Sequence, residues 1–299
     1  MRTKFKGSIT ALITPFDSNL EIDEESLRNF VDYQVEKGSH ALVPCGTTGE
    51  SPTMSHSEHL RVMEIVIDQA NGQIPIIVGA GSNSTVEAIS LTKYAKDIGA
   101  NAVLSIIPYY NKPTQEGLIK HFTTIAEKVD IPIIMYNSPA RTGQNMEPKT
   151  IINLSKIDNI VGIKEASGNI NQITEIILGT RNNSNFQVIS GDDELSLHIC
   201  ALGGVGIISV AANIIPDRMV KFIDACLNNN HRQANNIHLE LYPLFKALTC
   251  ETNPGPVKYI ASKLKIAGIS NWYIRPPLVF PTQQNQNRIN KVLLDLNIN

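Results

Sequence analysis

The sequence predicts an α/β fold, a (β/α)8 TIM barrel followed by a C-terminal helical appendix. Two observations predict it. Eight short β-rich runs alternate with amphipathic segments, a pattern that implies a parallel sheet with helical crossovers, and eight units suggest closure into a barrel. No nucleotide fingerprint argues for the alternative, a doubly wound open sheet: Gly79-Ala80-Gly81 is not continued as GxGxxG.

The strands are expected over 8–14, 41–44, 74–79, 102–106, 131–136, 160–164, 186–190 and 205–209. Between them, Leu27, Phe30, Val31 and Val35 fall on one helical face, as do Leu91, Tyr94, Ala95 and Ile98. Leu118, Phe122, Ile125, Ala126 and Val129 do the same in the next unit. Asp23 ahead of Glu24-Glu25, and Ser84-Thr85 with Glu87 close behind, mark helix starts. Gly38 and Gly99 stand where a left-handed C-cap ends a helix. The eighth helix is expected over 217–227, and helical patterns follow near 233–247, 256–267 and 286–296. This divides the chain into a catalytic barrel, 1–228, and a helical segment packed on it, 229–299.

Composition bounds the function. In a chain of 299 residues, 42% are hydrophobic, enough for a large core. The 26 Lys and Arg against 28 Asp and Glu leave a net charge of −2. With no basic stripe, nucleic acid is not an expected partner. The longest apolar stretch, over 205–216, is too short and interrupted to span a bilayer. Met1–Gly7 carries three basic residues but no apolar run follows, so no signal peptide is expected. Cys45, Cys200, Cys226 and Cys250 lie far apart without CxxC spacing. They read as reduced thiols of a cytoplasmic protein, with neither a disulfide frame nor a zinc site.

In a barrel, active sites form at the C-terminal ends of the strands. Lys164 ends the sixth run, after Ile160-Val161-Gly162-Ile163. Its amine is aimed into an apolar interior where desolvation disfavours the ammonium form, and a neutral amine is the nucleophile for a Schiff base with a ketone. A strand-end lysine more commonly snorkels to solvent; the segments at the neighbouring strand ends favour the chemical reading. Gly46-Thr47-Thr48-Gly49-Glu50-Ser51 offers backbone N–H groups for a small anion but lacks the lysine of a P-loop. Pro108-Tyr109-Tyr110-Asn111-Lys112-Pro113 brings phenols, which relay protons beside a Schiff-base lysine. Tyr136-Asn137-Ser138-Pro139-Ala140-Arg141-Thr142-Gly143 adds a third phenol and an arginine suited to bidentate binding of a carboxylate.

With Val161–Gly168 (VGIKEASG) and Ser190–Glu194 (SGDDE), these motifs resemble the dihydrodipicolinate synthase and N-acetylneuraminate lyase superfamily over essentially the whole chain. The resemblance implies a class I lyase that binds pyruvate on a lysine and needs no metal or other cofactor. The motif around Arg141 is closest to the dihydrodipicolinate synthases; the sialic acid lyases resemble YNxPxLSG there. The implied reaction is condensation of pyruvate with L-aspartate-4-semialdehyde, the entry to diaminopimelate and lysine. By the same resemblance Lys164 is the nucleophile. Tyr136, Thr47 and Tyr110 form a proton relay, Tyr110 reaching across a dimer interface into the neighbouring site. Thr48 binds the pyruvate carboxylate, Arg141 that of the aldehyde, and Gly191 and Ile208 line the pocket. Ser138 and Ala140 fall at variable positions of the pattern, and Pro52 stands where alanine is frequent.

His56 and His59, an i, i+3 pair, share a helix face. They lack an evident third zinc ligand, and a solvated face explains such a pair most simply. The resemblance implies a third reading: Ser51, His56, His59, Asn83, Glu87 and Tyr109 match the positions that hold inhibitory L-lysine at a tight dimer interface. A dimer of dimers, a homotetramer, is the expected assembly. Two alternatives stand beside this reading. One is another pyruvate-dependent aldolase, such as an N-acetylneuraminate or 2-keto-3-deoxy sugar acid lyase. The other is a non-catalytic barrel that senses pyruvate or lysine.

Overall fold

The computed structural model describes residues 5–298; the amino-terminal stretch read above as lacking a leader falls outside them over 1–4. Strands and helices alternate as β1 (Gly7–Ala11), α1 (Glu24–Glu36), β2 (Ala41–Val43), α2 (His56–Ala70), β3 (Ile77–Gly79), α3 (Thr85–Asp97), β4 (Ala102–Ile106) and α4 (Gln115–Lys128). Then come β5 (Ile133–Asn137), α5 (Pro139–Thr142), α6 (Pro148–Leu154), β6 (Ile160–Glu165), α7 (Ile170–Thr180), β7 (Gln187–Ser190), α8 (Ser196–Ala201), β8 (Gly206–Ser209) and α9 (Pro216–Leu227). Helices α10 (His231–Leu248), α11 (Gly255–Leu264) and α12 (Gln283–Asp295) complete the chain.

All eight expected strands form, and the shifts at their ends have local causes. β3 begins after Pro75 and β5 after Pro132, residues that bring no N–H to a ladder. β1 stops at Ala11: Leu12 N–H still reaches the Val43 carbonyl (3.0 Å), but Ile13 donates to Asn213 Oδ1 (3.0 Å) and Thr14 Oγ1 to the Gly49 carbonyl (2.8 Å). The caps act as their chemistry requires. Asp23 accepts from Ser26 N–H and Ser84 from Glu87 N–H, while Gly38 and Gly99 take φ of 82° and 90°. The helix expected over 256–267 ends at Leu264, where Lys265 turns left-handed at φ 49°.

The sheet is parallel, ordered β2-β1-β8-β7-β6-β5-β4-β3. Its two edges meet: Leu42 N–H donates to the Pro75 carbonyl (3.1 Å) and Gly79 N–H to the Pro44 carbonyl (2.9 Å), so the barrel closes between β2 and β3. Inward residues such as Ile9, Val43, Ile77, Leu104, Ile134 and Ile189 fill the barrel, and a second layer packs the strands against the helices. The C-terminal helices share that outer layer. Trp272 meets Phe30 edge to face at 4.9 Å, and Phe245 lies 6.4 Å from Phe222.

One polar contact crosses this packing. Lys258 on α11 is paired with Glu50, both side chains at 0% exposure. Lys258 also donates to the Tyr273 carbonyl (2.7 Å), and Glu50 accepts from Arg275 N–H (3.1 Å). Arg275 in turn bonds the Thr53 carbonyl (3.0 Å), the Leu20 carbonyl (2.8 Å) and Glu58. Burial draws the Lys258 amine down to about 8 against the opposing pull of Glu50. Arg275 holds Glu58 at about 2. Lys258→Met strands the Glu50 carboxylate in the core and is expected to cost about 3–5 kcal/mol in urea unfolding. Replacing both residues, as Glu50→Gln with Lys258→Met, is expected to cost less than the single change. A double variant as unstable as the single one would show that the pair is not the source of the penalty.

Candidate active site

Lys164 and Tyr136 are paired across adjacent strands β6 and β5, near the ends where barrel sites form. Lys164 is 6% exposed, and its amine sits 4.5 Å from the centre of the Tyr136 ring. That stacking holds the amine over a phenol face at the mouth of an apolar barrel. Gly191, after β7, lies against the lysine stem: a Cβ there would come within 3.2 Å of Lys164 Cε and 2.6 Å of the Ala166 methyl. A side chain at 191 would therefore displace the lysine or the β6 end.

The strand ends behind the amine are locked by a buried polar group. Glu165 follows Lys164 and is fully buried. It accepts from Ser167 N–H (2.8 Å) and Asn137 Nδ2 (3.1 Å), and Asn137 accepts from Met146 N–H (3.0 Å). Desolvation raises the Glu165 carboxyl above its ordinary range, and these donors partly offset it. The residues following Tyr136 and Lys164 are thus tied together.

The loop after β2 carries Thr47 and Thr48. It is bent through two left-handed residues, Cys45 at φ 57° and Glu50 at φ 61°, each costing a non-glycine residue about 1–2 kcal/mol. The Glu50–Lys258 pair and Arg275 fix the far side of that bend. Asn253 Nδ2 donates to Thr48 Oγ1 at 2.9 Å, while Asn253 Oδ1 is buried without a partner. Thr47, Thr48, Tyr136, Arg141, Lys164 and Gly191 all line one cavity of about 1140 Å3. Arg141 stands on the short helix α5, which Pro139 starts and Gly143 ends at φ 75°.

Three of the expected residues, Ile208, Tyr110 and Asn83, are not among those named in that wall. Ile208 is fully buried in the barrel's inner layer, which also holds Tyr136, and is in register with Ile9 of β1. Tyr110 is 90% exposed with a left-handed backbone (φ 70°).

The cavity's acidic wall contains two residues that lay within the SGDDE motif without an assigned part. Asp193 is engaged by Ser209 Oγ (2.5 Å) and by the N–H groups of Val210 and Ala211 (both 3.1 Å). Among the described residues, Asp192 receives no hydrogen bond on its carboxylate, and burial pushes it up to about 6, against the pull of Lys164. Asn253 and Lys258 were also unassigned. A lysine among Val257, Ile260 and Ala261 on a buried stripe was the available signal for Lys258.

The same cavity runs on to Ser51, His56, His59, Glu87 and Tyr109. His56 lies 3.2 Å from Glu87, which also accepts from Ser82 Oγ. His59 Nε2 contacts the Gly79 carbonyl at 2.8 Å, and burial lowers its affinity for a proton. A carbonyl only accepts, so His59 carries its proton on Nε2. Asn83 is not in the cavity wall; its Nδ2 donates to the Tyr109 carbonyl (3.2 Å), and Asn111 donates back to the Asn83 carbonyl (2.9 Å). These bonds tie the loop bearing Tyr109 and Tyr110 to the start of α3. Among the described residues no group of three or more His, Cys, Asp or Glu is arranged to hold a metal. No helix among the described residues is long and apolar enough to cross a membrane.

Residues 4–296 match the family model described as the dihydrodipicolinate synthetase family. The 4-hydroxy-tetrahydrodipicolinate synthase of Syntrophus aciditrophicus is 48% identical over 289 residues, 97% of each chain. The chain is similar in structure to the chloride-inhibited dihydrodipicolinate synthase of Acinetobacter baumannii, solved with pyruvate. That likeness has a TM-score of 0.95 at 41% identity over 99% of this chain and 100% of that one. It is also similar to the enzyme of Cyanidioschyzon merolae solved with lysine bound, with a TM-score of 0.94 at 37% identity over 99% of both chains.

Proposed function

The chain belongs to the dihydrodipicolinate synthetase family, and we propose that it condenses pyruvate with L-aspartate-4-semialdehyde through a Schiff base on Lys164, as a 4-hydroxy-tetrahydrodipicolinate synthase. The observation that carries this reading is the buried Lys164 amine over the Tyr136 ring, in one cavity with Thr47, Thr48 and Arg141. A non-catalytic binding barrel has no need of that nucleophile and phenol. An N-acetylneuraminate or 2-keto-3-deoxy sugar acid lyase is supported less, because Arg141 suits an acceptor carrying a carboxylate and the relatives bear the synthase name.

In this reading Thr48 takes the pyruvate carboxylate and Lys164 attacks the ketone, losing water to form the imine. The imine draws electrons from the methyl group, so a proton leaves and an enamine forms. The enamine carbon adds to the aldehyde, and the substrate's own amine then displaces Lys164 as the ring closes. Tyr136 and Thr47 carry the protons in the same cavity. Tyr110, exposed on its own chain, completes the relay in a neighbouring chain, so the working unit is at least a dimer and the expected assembly a dimer of dimers. The imine is the electron sink, and no metal or other cofactor takes part in these steps. The four cysteines remain thiols in a cytoplasmic enzyme.

L-lysine is the expected inhibitor. Glu87 receives its ammonium beside His56, with Ser51, His59 and Tyr109 around it and Asn83 bracing the Tyr109 loop. Tyr109 precedes Tyr110, so a ligand against Tyr109 acts on the relay through one peptide bond.

Two outcomes test this. Arg141→Ala removes a charge-assisted pair of about 1.5–3 kcal/mol, so kcat/KM for L-aspartate-4-semialdehyde is expected to fall about ten- to a hundredfold while pyruvate capture holds. Across a panel of aldehydes, N-acetylmannosamine as the preferred acceptor would reject the synthase reading. Glu87→Thr leaves an acceptable helix start and removes the ammonium's partner. Inhibition by millimolar L-lysine should weaken strongly while uninhibited turnover stays nearly constant. Lysine competing directly with pyruvate would remove the case for a second site.

A further inference from the structure

The acceptor assigned above carries two charges on one carbon, a carboxylate and an ammonium. Arg141 answers the first, and the second needs an anion in the same part of the cavity. An ammonium taken from water into a cavity without a counter-charge is held weakly.

Five carboxylates line the cavity: Glu87, Asp192, Asp193, Glu194 and Glu251. Glu87 belongs to the lysine site assigned above, beside Ser82 and His56, and three others are engaged within the protein. Asp193 is held by Ser209 and two backbone N–H groups. Glu194 meets Lys246 (3.4 Å) and Thr249 (3.2 Å), and Glu251 meets Thr282 (2.8 Å) and Asn285 (2.7 Å). Among the described residues, Asp192 alone of the five has a carboxylate without a hydrogen-bond donor, although its backbone is pinned: its N–H donates to Ser190 Oγ (3.2 Å) and its carbonyl accepts from Leu195 N–H (3.2 Å). Strand order sets its position. β5, β6 and β7 are consecutive in the sheet, so Lys164 on β6 lies between Arg141 beyond β5 and Asp192 beyond β7. Two strand spacings are about 9.6 Å, a span that a long arginine, an α-amino-acid head group and a short aspartate together bridge.

We propose that Asp192 binds the ammonium of the aldehyde substrate, opposite Arg141 on its carboxylate, and so selects an α-amino-acid aldehyde over an acceptor without the amine. The inference rests on the functional reading above. An anion at this place lies beside the Schiff base, so a purely electrostatic action on Lys164 is the competing account, and it predicts a different result.

Asp192→Asn keeps the shape and removes the charge. The full-length wild type and variant are compared in three measurements: kcat/KM for L-aspartate-4-semialdehyde, the inhibition constant of succinate semialdehyde, which has the aldehyde and carboxylate without the amine, and the rate of borohydride trapping with pyruvate alone. The expected result is a fall of about tenfold or more in the first, with the other two within about twofold of wild type. An unchanged kcat/KM overturns the assignment. So does a parallel weakening of succinate semialdehyde, or a parallel loss of pyruvate trapping, which would place the effect on Lys164. A wild type that does not turn over L-aspartate-4-semialdehyde overturns the functional reading itself, and the assignment with it.

Discussion

The buried pair between Glu50 and Lys258 is the constraint on which the architecture of the site depends. A single turn of chain after β2 must present Thr47 and Thr48 to the cavity, and it does so through left-handed residues that other conformations would outcompete. The opposing force comes from far along the sequence. Lys258, Arg275 and Asn253, all in the C-terminal segment, reach Glu50, Thr53 and Thr48. A charge pair withdrawn from water adds little net stability but tolerates few alternative geometries, and it can therefore specify a loop. The helical appendix is in this sense part of the site: it supplies the far half of the clamp.

The barrel contributes the other half through order and register. Because β4 to β7 are consecutive in the sheet, the phenol loop, the arginine loop, the lysine and the acidic turn stand side by side around one opening. Tyr136 and Lys164 meet because they are cross-strand partners, and Gly191 leaves room for the lysine stem. The pair at the β5 and β6 ends is held from behind by Glu165 and Asn137, so the Lys164 amine is positioned by bonds that do not touch it. The cavity's extension to Glu87 and Tyr109 shares its wall with this apparatus. Tyr109, in that wall, directly precedes the exposed Tyr110.

Much of this was legible in the sequence because it is local. Strand periodicity, the Asp23 and Ser84 caps, and Gly38 and Gly99 announce themselves within a few residues. The motifs at strand ends were legible because a barrel brings all such ends to one face. The sequence was silent where distant residues meet. Nothing around Lys258 names Glu50 as its partner, and nothing around Asn253 names Thr48, since each pair is separated by about two hundred residues. Asp192 and Asp193 read alike as neighbours in one motif; only the structure separates the bonded carboxylate from the unbonded one. Alternation along β8 turns Ile208 into the barrel's inner layer, the layer that also holds Tyr136.

The central claim is that Lys164 carries pyruvate as a covalent imine. The most direct measurement is incubation with pyruvate and borohydride, followed by mass mapping of the peptides. A single reduced pyruvyl adduct on the peptide containing Lys164, absent without pyruvate, is the result this account predicts. An adduct on another lysine, or none under conditions where the enzyme turns over, would contradict it.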